Sequence, residues 1–255
     1  MNLLHRIWEK IYFESMARFK FFRTRNFKNF SSRGCMRYDK VAHFHGDTYL
    51  VGLVHSFFDS GICTSFVESG TFLGETSAFV DSIYSGPIFT FELNEHVFHI
   101  AQKNLEHTDI HMFLGNSAQG IREQMLSFGS HPLFYLDAHY KWAEQSPLPD
   151  ELDVISHNFD NAIIIIDDFK VPGDVVYRHD VIFDFSHNPF AYTRRDLDFS
   201  YVKSSLSAEK KYRFFVPHYD GAEKQTYNGY IIIVIGENTV VHKILDSSDS
   251  VIDVR

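Results

Sequence analysis

From about Asp47 the chain settles into short apolar runs that alternate with amphipathic stretches. Leu50, Val51, Val54 and Phe58 recur at helical spacing, and Gly61 follows where such a helix would end. A first strand is predicted at Ser65–Glu68, then a helix at Glu75–Tyr84, a strand at Ile88–Leu93 and a helix at Glu95–Glu106. The rhythm continues with a strand at Ile110–Leu114, a helix at Ser117–Phe128 and a strand at Pro132–Asp137. A helix near Leu148–His157 and a strand at Ala162–Asp167 complete it. Repeated βα units of this kind predict a parallel sheet covered by helices on both faces, the doubly wound α/β class.

Local signals agree with this pattern. Asn94 stands where an N-cap belongs, Glu95 favours the positive helix start, and Val97, Ile100, Ala101 and Leu105 share one face. The run Ile163-Ile164-Ile165-Ile166 is apolar towards both faces, as a central strand between two helix layers must be, and β-branched residues crowd a helix. Residues 171–228 break the rhythm. They hold Tyr177, Phe183, Phe185, Phe190, Tyr192, Phe199 and Tyr201 without a clean period, which predicts an insertion or lid at the mouth of a site. Strands at Tyr212–Val216 and Gly229–Gly236, with the tail Val240–Leu245, are expected to form an antiparallel C-terminal edge on a Rossmann-like, mostly parallel sheet.

Charge divides the chain in two. The net charge of −9 argues against a general nucleic-acid binder. Residues 1–40 nevertheless carry about +7, leaving about −16 on the rest, and Trp8, Tyr12, Phe13, Phe19, Phe21, Phe22, Phe27 and Phe30 interleave with the basic residues. A segment of this kind suits an anionic membrane surface, or a helix packed on the domain or on a second copy of it. The organisation expected is a basic aromatic segment over 1–46 and one α/β domain over 47–255. Cys35 and Cys63 are the only cysteines, so no disulfide framework or zinc cluster is legible. No apolar run reaches the length of a membrane span, and a cytoplasmic setting, with peripheral membrane contact as an option, is expected.

Chemistry gathers at the strand ends, where open parallel sheets bind ligands. Glu68, Glu92, Asp137 and the Asp167-Asp168 pair each close a predicted strand. After the first strand, Glu68-Ser69-Gly70-Thr71-Phe72-Leu73-Gly74 forms a glycine loop that opens a helix. Gly70 permits positive φ and close approach of a ligand, and Gly74 permits close packing of the helix start. The spacing is not G-x-G-x-x-G, and an acid at the strand end repels phosphate while attracting a cation. Glu92 follows the loop at about the distance, roughly 20 residues, at which an acid accepts from ribose hydroxyls. The pattern points to a nucleoside without a diphosphate.

At these residues the chain resembles the class I S-adenosylmethionine-dependent methyltransferases, in the small-molecule or glycan-associated branch. Val67-Glu68-Ser69-Gly70-Thr71-Phe72-Leu73-Gly74-Glu75-Thr76-Ser77 is similar to that family's first motif and Phe91-Glu92-Leu93-Asn94 to its second. Leu136-Asp137-Ala138-His139-Tyr140 and Ile166-Asp167-Asp168 resemble its fourth and fifth strand ends. The resemblance covers roughly residues 60–170. It implies S-adenosylmethionine as cofactor, with Glu68, Gly70, Thr71 and Gly74 around its methionine end and ribose, Glu92 on the ribose hydroxyls, Asn116 and Ser117 beside the adenine, and Asp137 near the methionine amino group. The family usually has aspartate where Asn116 stands, and an asparagine oxygen can still accept from the adenine amino group.

The transfer itself needs alignment of nucleophile and methyl group, and a hydroxyl nucleophile must also lose its proton. His139 could act as general base, its ordinary pKa near 6.5 suiting neutral pH. Alternatively Asp137, Asp167 and Asp168 could hold Mg²⁺, which would acidify the acceptor hydroxyl. The remaining histidines, among them His43 and His45 ahead of the domain and His96, His99 and His107 along a surface-like helix, lack zinc-helix spacing and are expected to be solvated or structural. The acceptor expected is a small polar or glycan-type molecule bound beneath the aromatic segment. Two rivals share the pattern: a nicotinamide-dependent oxidoreductase, disfavoured by the glycine spacing, and a silent binding module on the same fold.

Overall fold

The computed structural model describes residues 43–138, 146–173, 177–184, 193–219 and 228–254. Its parallel core is built from β1 (Ser65–Ser69), β2 (Ile88–Glu92), β3 (His111–Leu114), β4 (Pro132–Leu136) and β5 (Ala162–Ile166). Helix α1 (Thr48–Asp59) precedes this core, and α2 (Glu75–Ile83), α3 (Glu95–Asn104), α4 (Ser117–Gln124) and α5 (Leu148–Asn158) connect its strands. Beyond it come the two-stranded antiparallel sheet of β6 (Val181–Asp184) and β7 (Thr193–Asp196), helix α6 (Phe199–Lys203), β8 (Tyr212–Pro217), β9 (Ile231–Ile235), helix α7 (Thr239–Asp246) and β10 (Val251–Asp253).

Across the main sheet the order is β3-β2-β1-β4-β5-β9-β8-β10. The first five strands are parallel, whereas β9 runs antiparallel to β5, β8 to β9, and β10 to β8. This is the expected doubly wound α/β sheet with an antiparallel C-terminal edge. Helices cover both faces, as neighbouring residues of β2 show. Thr90 bonds Glu68, which α2 covers through Ser77, while the ring of Phe91 points the other way against Gly120 of α4. The four isoleucines of β5 and the five apolar residues of β9 are fully buried, and their antiparallel register, Ile164 opposite Ile233, sets the centre of the core.

The caps follow the sequence. Asn94 accepts from the backbone N–H groups of His96 and Val97, and Gly61 takes a left-handed φ of 69° just past α1. One expectation is corrected: Val240–Leu245 is part of α7 and not a strand. Asn238 caps it by accepting from Val240 and Val241, and Val241 and Leu245 lie four apart on its buried face, so β10 supplies the sheet edge instead. Among the described residues, no helix is long and apolar enough to cross a membrane. The basic aromatic stretch of residues 1–40 lies outside the described residues.

Candidate functional site

Strands β1, β2 and β3 extend the sheet to one side and β4 and β5 to the other, so the direction of winding reverses between β1 and β4. At such a switch point the two neighbouring crossover loops part and leave a crevice. The loop from β1 to α2 borders it. Its shape is held from below by Gly70 and Thr71, whose N–H groups both donate to the carbonyl of Phe91 at 2.9 and 3.1 Å. Gly70 has φ 86°, and a Cβ there would lie 2.7 Å from the backbone oxygen of Asp137, so only glycine lets the loop sit against the end of β4. Gly74 (φ 85°) is likewise fixed, but by the side chain of Leu105 beyond α3, and not by the sheet.

Glu92 ties this loop to β2. Its Oε2 accepts from Phe72 N at 2.9 Å and its Oε1 from Asn94 N at 2.8 Å, which stabilises Phe72 in a left-handed backbone (φ 49°). Burial raises the Glu92 pKa, and these N–H donors pull the other way. A carboxylate has about four acceptor positions, and the backbone N–H groups of Asn94, Phe72 and Leu93 leave part of that capacity to a ligand. Next to it Leu93 is 70% exposed, and Leu114, paired with Glu92 across β2 and β3, is 47% exposed. Two exposed leucines at adjacent strand ends form an apolar ledge beside an acid.

Other expected cofactor residues sit deeper. Glu68 is 2% exposed, and its carboxyl takes hydroxyl hydrogen bonds from Ser77 and Thr90. Burial pushes its pKa up to about 8 despite those two bonds. Thr71 is buried too, its hydroxyl 2.7 Å from that of Thr90. Asn116 uses its side-chain oxygen to cap α4 at Gln119 N, 3.0 Å away, and the Ser117 hydroxyl bonds the buried Glu151 carboxylate of α5. Ser69 Oγ, also buried at the end of β1, has no hydrogen-bond partner among the described residues.

On the other side of the crevice the acids of β4 and β5 converge. Asp137 and Asp167 prolong the parallel ladder through Asp137 N to Ser69 O (3.1 Å) and Asp167 N to Leu136 O (3.2 Å). Asp168, which follows, has a left-handed backbone (φ 53°). A third element joins them, the turn His43–Gly46, in which Phe44, His45 and Gly46 are all left-handed. His45 Nε2 lies 2.6 Å from Asp167 Oδ2 and 3.5 Å from Asp137 Oδ2. One donor atom each from His45, Asp137, Asp167 and Asp168 falls within 4.8 Å of the others.

Electrostatics follow from this crowding. Burial alone would lower the His45 pKa, but the charges and hydrogen bonds of Asp167 and Asp137 outweigh it and raise the value. Burial would raise Asp167, and His45 outweighs it, holding the carboxyl below its usual range. Asp168 is pushed well up by burial and by the charges of Asp167 and Asp137. Tyr135, whose hydroxyl donates to Asp167 Oδ2 at 2.9 Å, is likewise raised by burial and by Asp167.

The structure places Asp137, Asp167 and Asp168 within reach of one another and puts His45, expected to be solvated or structural, beside them. His139 lies outside the described residues. A signal for His45 was present. Asp47 is an N-cap, accepting from Tyr49 and Leu50, and a helix that leads directly into β1 must run antiparallel to it. Twelve helical residues rise about 18 Å, the length of a five-residue strand, so the start of α1 lies level with the strand C-termini. The turn is anchored on both flanks: Phe44 is 2% exposed and packs edge-on against Tyr135 at 4.9 Å, and Asp47 accepts from the Tyr219 hydroxyl at 2.9 Å, itself 2.6 Å from that of Tyr230.

No protein-family model matches the chain, and no curated protein matches it. Among solved structures it is similar to the O-methyltransferase from Bacillus cereus in complex with SAH, at 17% identity over 73% of this chain and 78% of that one, with a TM-score of 0.46. It is also similar to the O-methyltransferase TomG from Streptomyces achromogenes, involved in tomaymycin synthesis and in complex with SAM, at 15% identity over 73% and 80% of the two chains, TM-score 0.48. The PH0226 protein from Pyrococcus horikoshii OT3 aligns at 11% identity over 74% and 88%, TM-score 0.46.

Proposed function

We propose that this chain is an S-adenosylmethionine-dependent methyltransferase acting on a hydroxyl of a small polar or glycan-type acceptor. The observation that carries this reading is the acid-edged crevice at the switch point, where the Gly70 loop, Glu92 and Asp137 meet. A diphosphate would meet the acids Glu92 and Asp137 at the edges of this crevice, whereas a ligand with a sulfonium and an ammonium group gains from the same field. The donor set suits the rest of the molecule. Glu92 keeps acceptor capacity for a ribose hydroxyl, Leu93 and Leu114 offer apolar contact to a base, and Ser69 Oγ is a donor without a partner among the described residues.

In this reading Glu92 fixes the ribose, the Gly115-Asn116-Ser117 turn borders the adenine, and Asp137 holds the methionine amino group. Glu68 and Thr71 act one layer down, keeping the loop in shape through Ser77 and Thr90. The three carboxylates at the ends of β4 and β5 fit a hard divalent cation such as Mg²⁺. Such an ion, when bound, makes a coordinated hydroxyl more acidic. His139 is the alternative proton acceptor, two residues beyond Asp137 in the chain.

The test is ligand-induced stabilisation of the full chain. S-adenosylmethionine and S-adenosylhomocysteine are expected to raise the melting temperature, by about 2.7 kcal/mol of stability at a hundredfold excess over Kd, and NAD is not. Glu92→Ala is expected to weaken S-adenosylhomocysteine by about 1.5–3 kcal/mol in calorimetry, the worth of hydrogen bonds to a charged group. Stabilisation by NAD alone, or by none of the three, would sink the proposal.

A further inference from the structure

We infer that His45 is a nitrogen ligand of the divalent cation at the ends of β4 and β5, and that it biases the site towards a borderline first-row ion such as Co²⁺ or Zn²⁺ over Mg²⁺. The inference rests on the proposed cation role of Asp137, Asp167 and Asp168. What it adds is a donor from another part of the chain and a different metal preference.

The geometry is specific. His45 Nε2 is directed at Asp167 Oδ2 and Asp137 Oδ2, and one donor atom each from His45, Asp137, Asp167 and Asp168 lies within 4.8 Å of the others, so one nitrogen and three oxygens fall within the span of a single coordination sphere. A carboxylate cluster alone selects hard cations such as Mg²⁺, which demands near-ideal octahedral oxygen geometry and retains water. An imidazole changes that preference, because neutral ring nitrogen binds borderline ions far better than it binds Mg²⁺.

The position of His45 is also fixed before any ion arrives. Phe44 on one side is buried against Tyr135 and Phe79, and Asp47 on the other caps α1 and holds the Tyr219 hydroxyl. Two buried anchors within three residues leave the imidazole little freedom, so little ordering entropy opposes coordination. Without a cation the same nitrogen bonds Asp167 Oδ2 through a proton.

The experiment compares the full-length wild type with His45→Ala and His45→Gln by calorimetric titration with CoCl₂ and with MgCl₂, and records the visible d–d spectrum of bound Co²⁺. Wild type is expected to prefer Co²⁺ by about tenfold or more, and both variants to lose most of that preference, with Mg²⁺ affinity changed less than about threefold. The Co²⁺ spectrum should shift in both variants as a nitrogen donor is replaced. A merely structural role for His45 would lower both affinities together. An unchanged Co²⁺ to Mg²⁺ ratio in variants that still bind and still melt cooperatively overturns the inference and leaves the carboxylate site standing. Failure of wild type to bind either cation removes the site itself, and the inference with it, while stabilisation by S-adenosylmethionine would still report on the cofactor.

Discussion

Glu68 is an acid placed where an ionised acid is costly. Its carboxyl lies between β1 and α2, and burial raises its pKa from 4.5 to about 8 against the opposing hydrogen bonds of Ser77 and Thr90. The sign of the effect on stability follows directly. The folded state keeps a proton that the unfolded chain has released, so this group's contribution falls as pH rises from about 4.5 to about 8. Glu68→Gln keeps the shape and removes the titration. Its melting temperature is expected to exceed that of wild type at pH 8.5, by about 1 kcal/mol or more in stability, with the gap closing towards pH 5. A gap independent of pH in thermal melts would show that Glu68 is not held protonated. The residue also shows what sequence could and could not tell. That an acid ends β1 was legible from Val67-Glu68-Ser69-Gly70; that its carboxyl turns inward depends on Ser77 and Thr90, partners supplied by two other elements.

At the scale of elements, the parallel core was legible nearly residue by residue, because βα units repeat two plain periods and mark their ends with Asn94, Gly61 and the strand-end acids. The C-terminal edge was not. Val240 and Val241 have the β-branched character of a strand, and the evidence against it, the Asn238 cap and the four-residue spacing of Val241 and Leu245, is local and easily outweighed by composition. His45 was missed for a different reason: its partners come from β4 and β5, more than ninety positions along the sequence. The β1 to α2 loop offers the cleanest test at this scale. Gly70→Ala would place a methyl 2.7 Å from the Asp137 carbonyl in a backbone with φ 86°. It is expected to cost about 2 kcal/mol or more of stability, and to weaken S-adenosylhomocysteine binding in the molecules that still fold. Wild-type affinity and stability in calorimetry would mean that the loop can move off β4 without loss.

For the molecule as a whole, charge and connectivity matter more than any one contact. Removing residues 1–40 takes the chain from −9 to about −16, since that segment carries about +7. The truncated chain is expected to lose salt-sensitive binding to anionic vesicles in flotation assays while keeping its stabilisation by S-adenosylhomocysteine. If vesicle binding persists, the segment's charge is not what meets lipid; if the truncated chain fails to fold, the segment is a packed part of the domain. Connectivity has a consequence of its own in the hydroxyl chain that links Asp47, Tyr219 and Tyr230. Asp47 and Tyr219 are 172 residues apart in sequence. At roughly 5–20 residues per second of synthesis, Asp47 precedes Tyr219 by roughly 10–35 seconds, far longer than a helix or hairpin needs to form. During that interval β1 to β5 and their acids can assemble, but Asp47 lacks the tyrosine that completes its bonding and steadies the turn carrying His45. The turn carrying His45 therefore gains the last of these anchoring hydrogen bonds only after Tyr219 has been made, and a chain stopped short of Tyr219 lacks it.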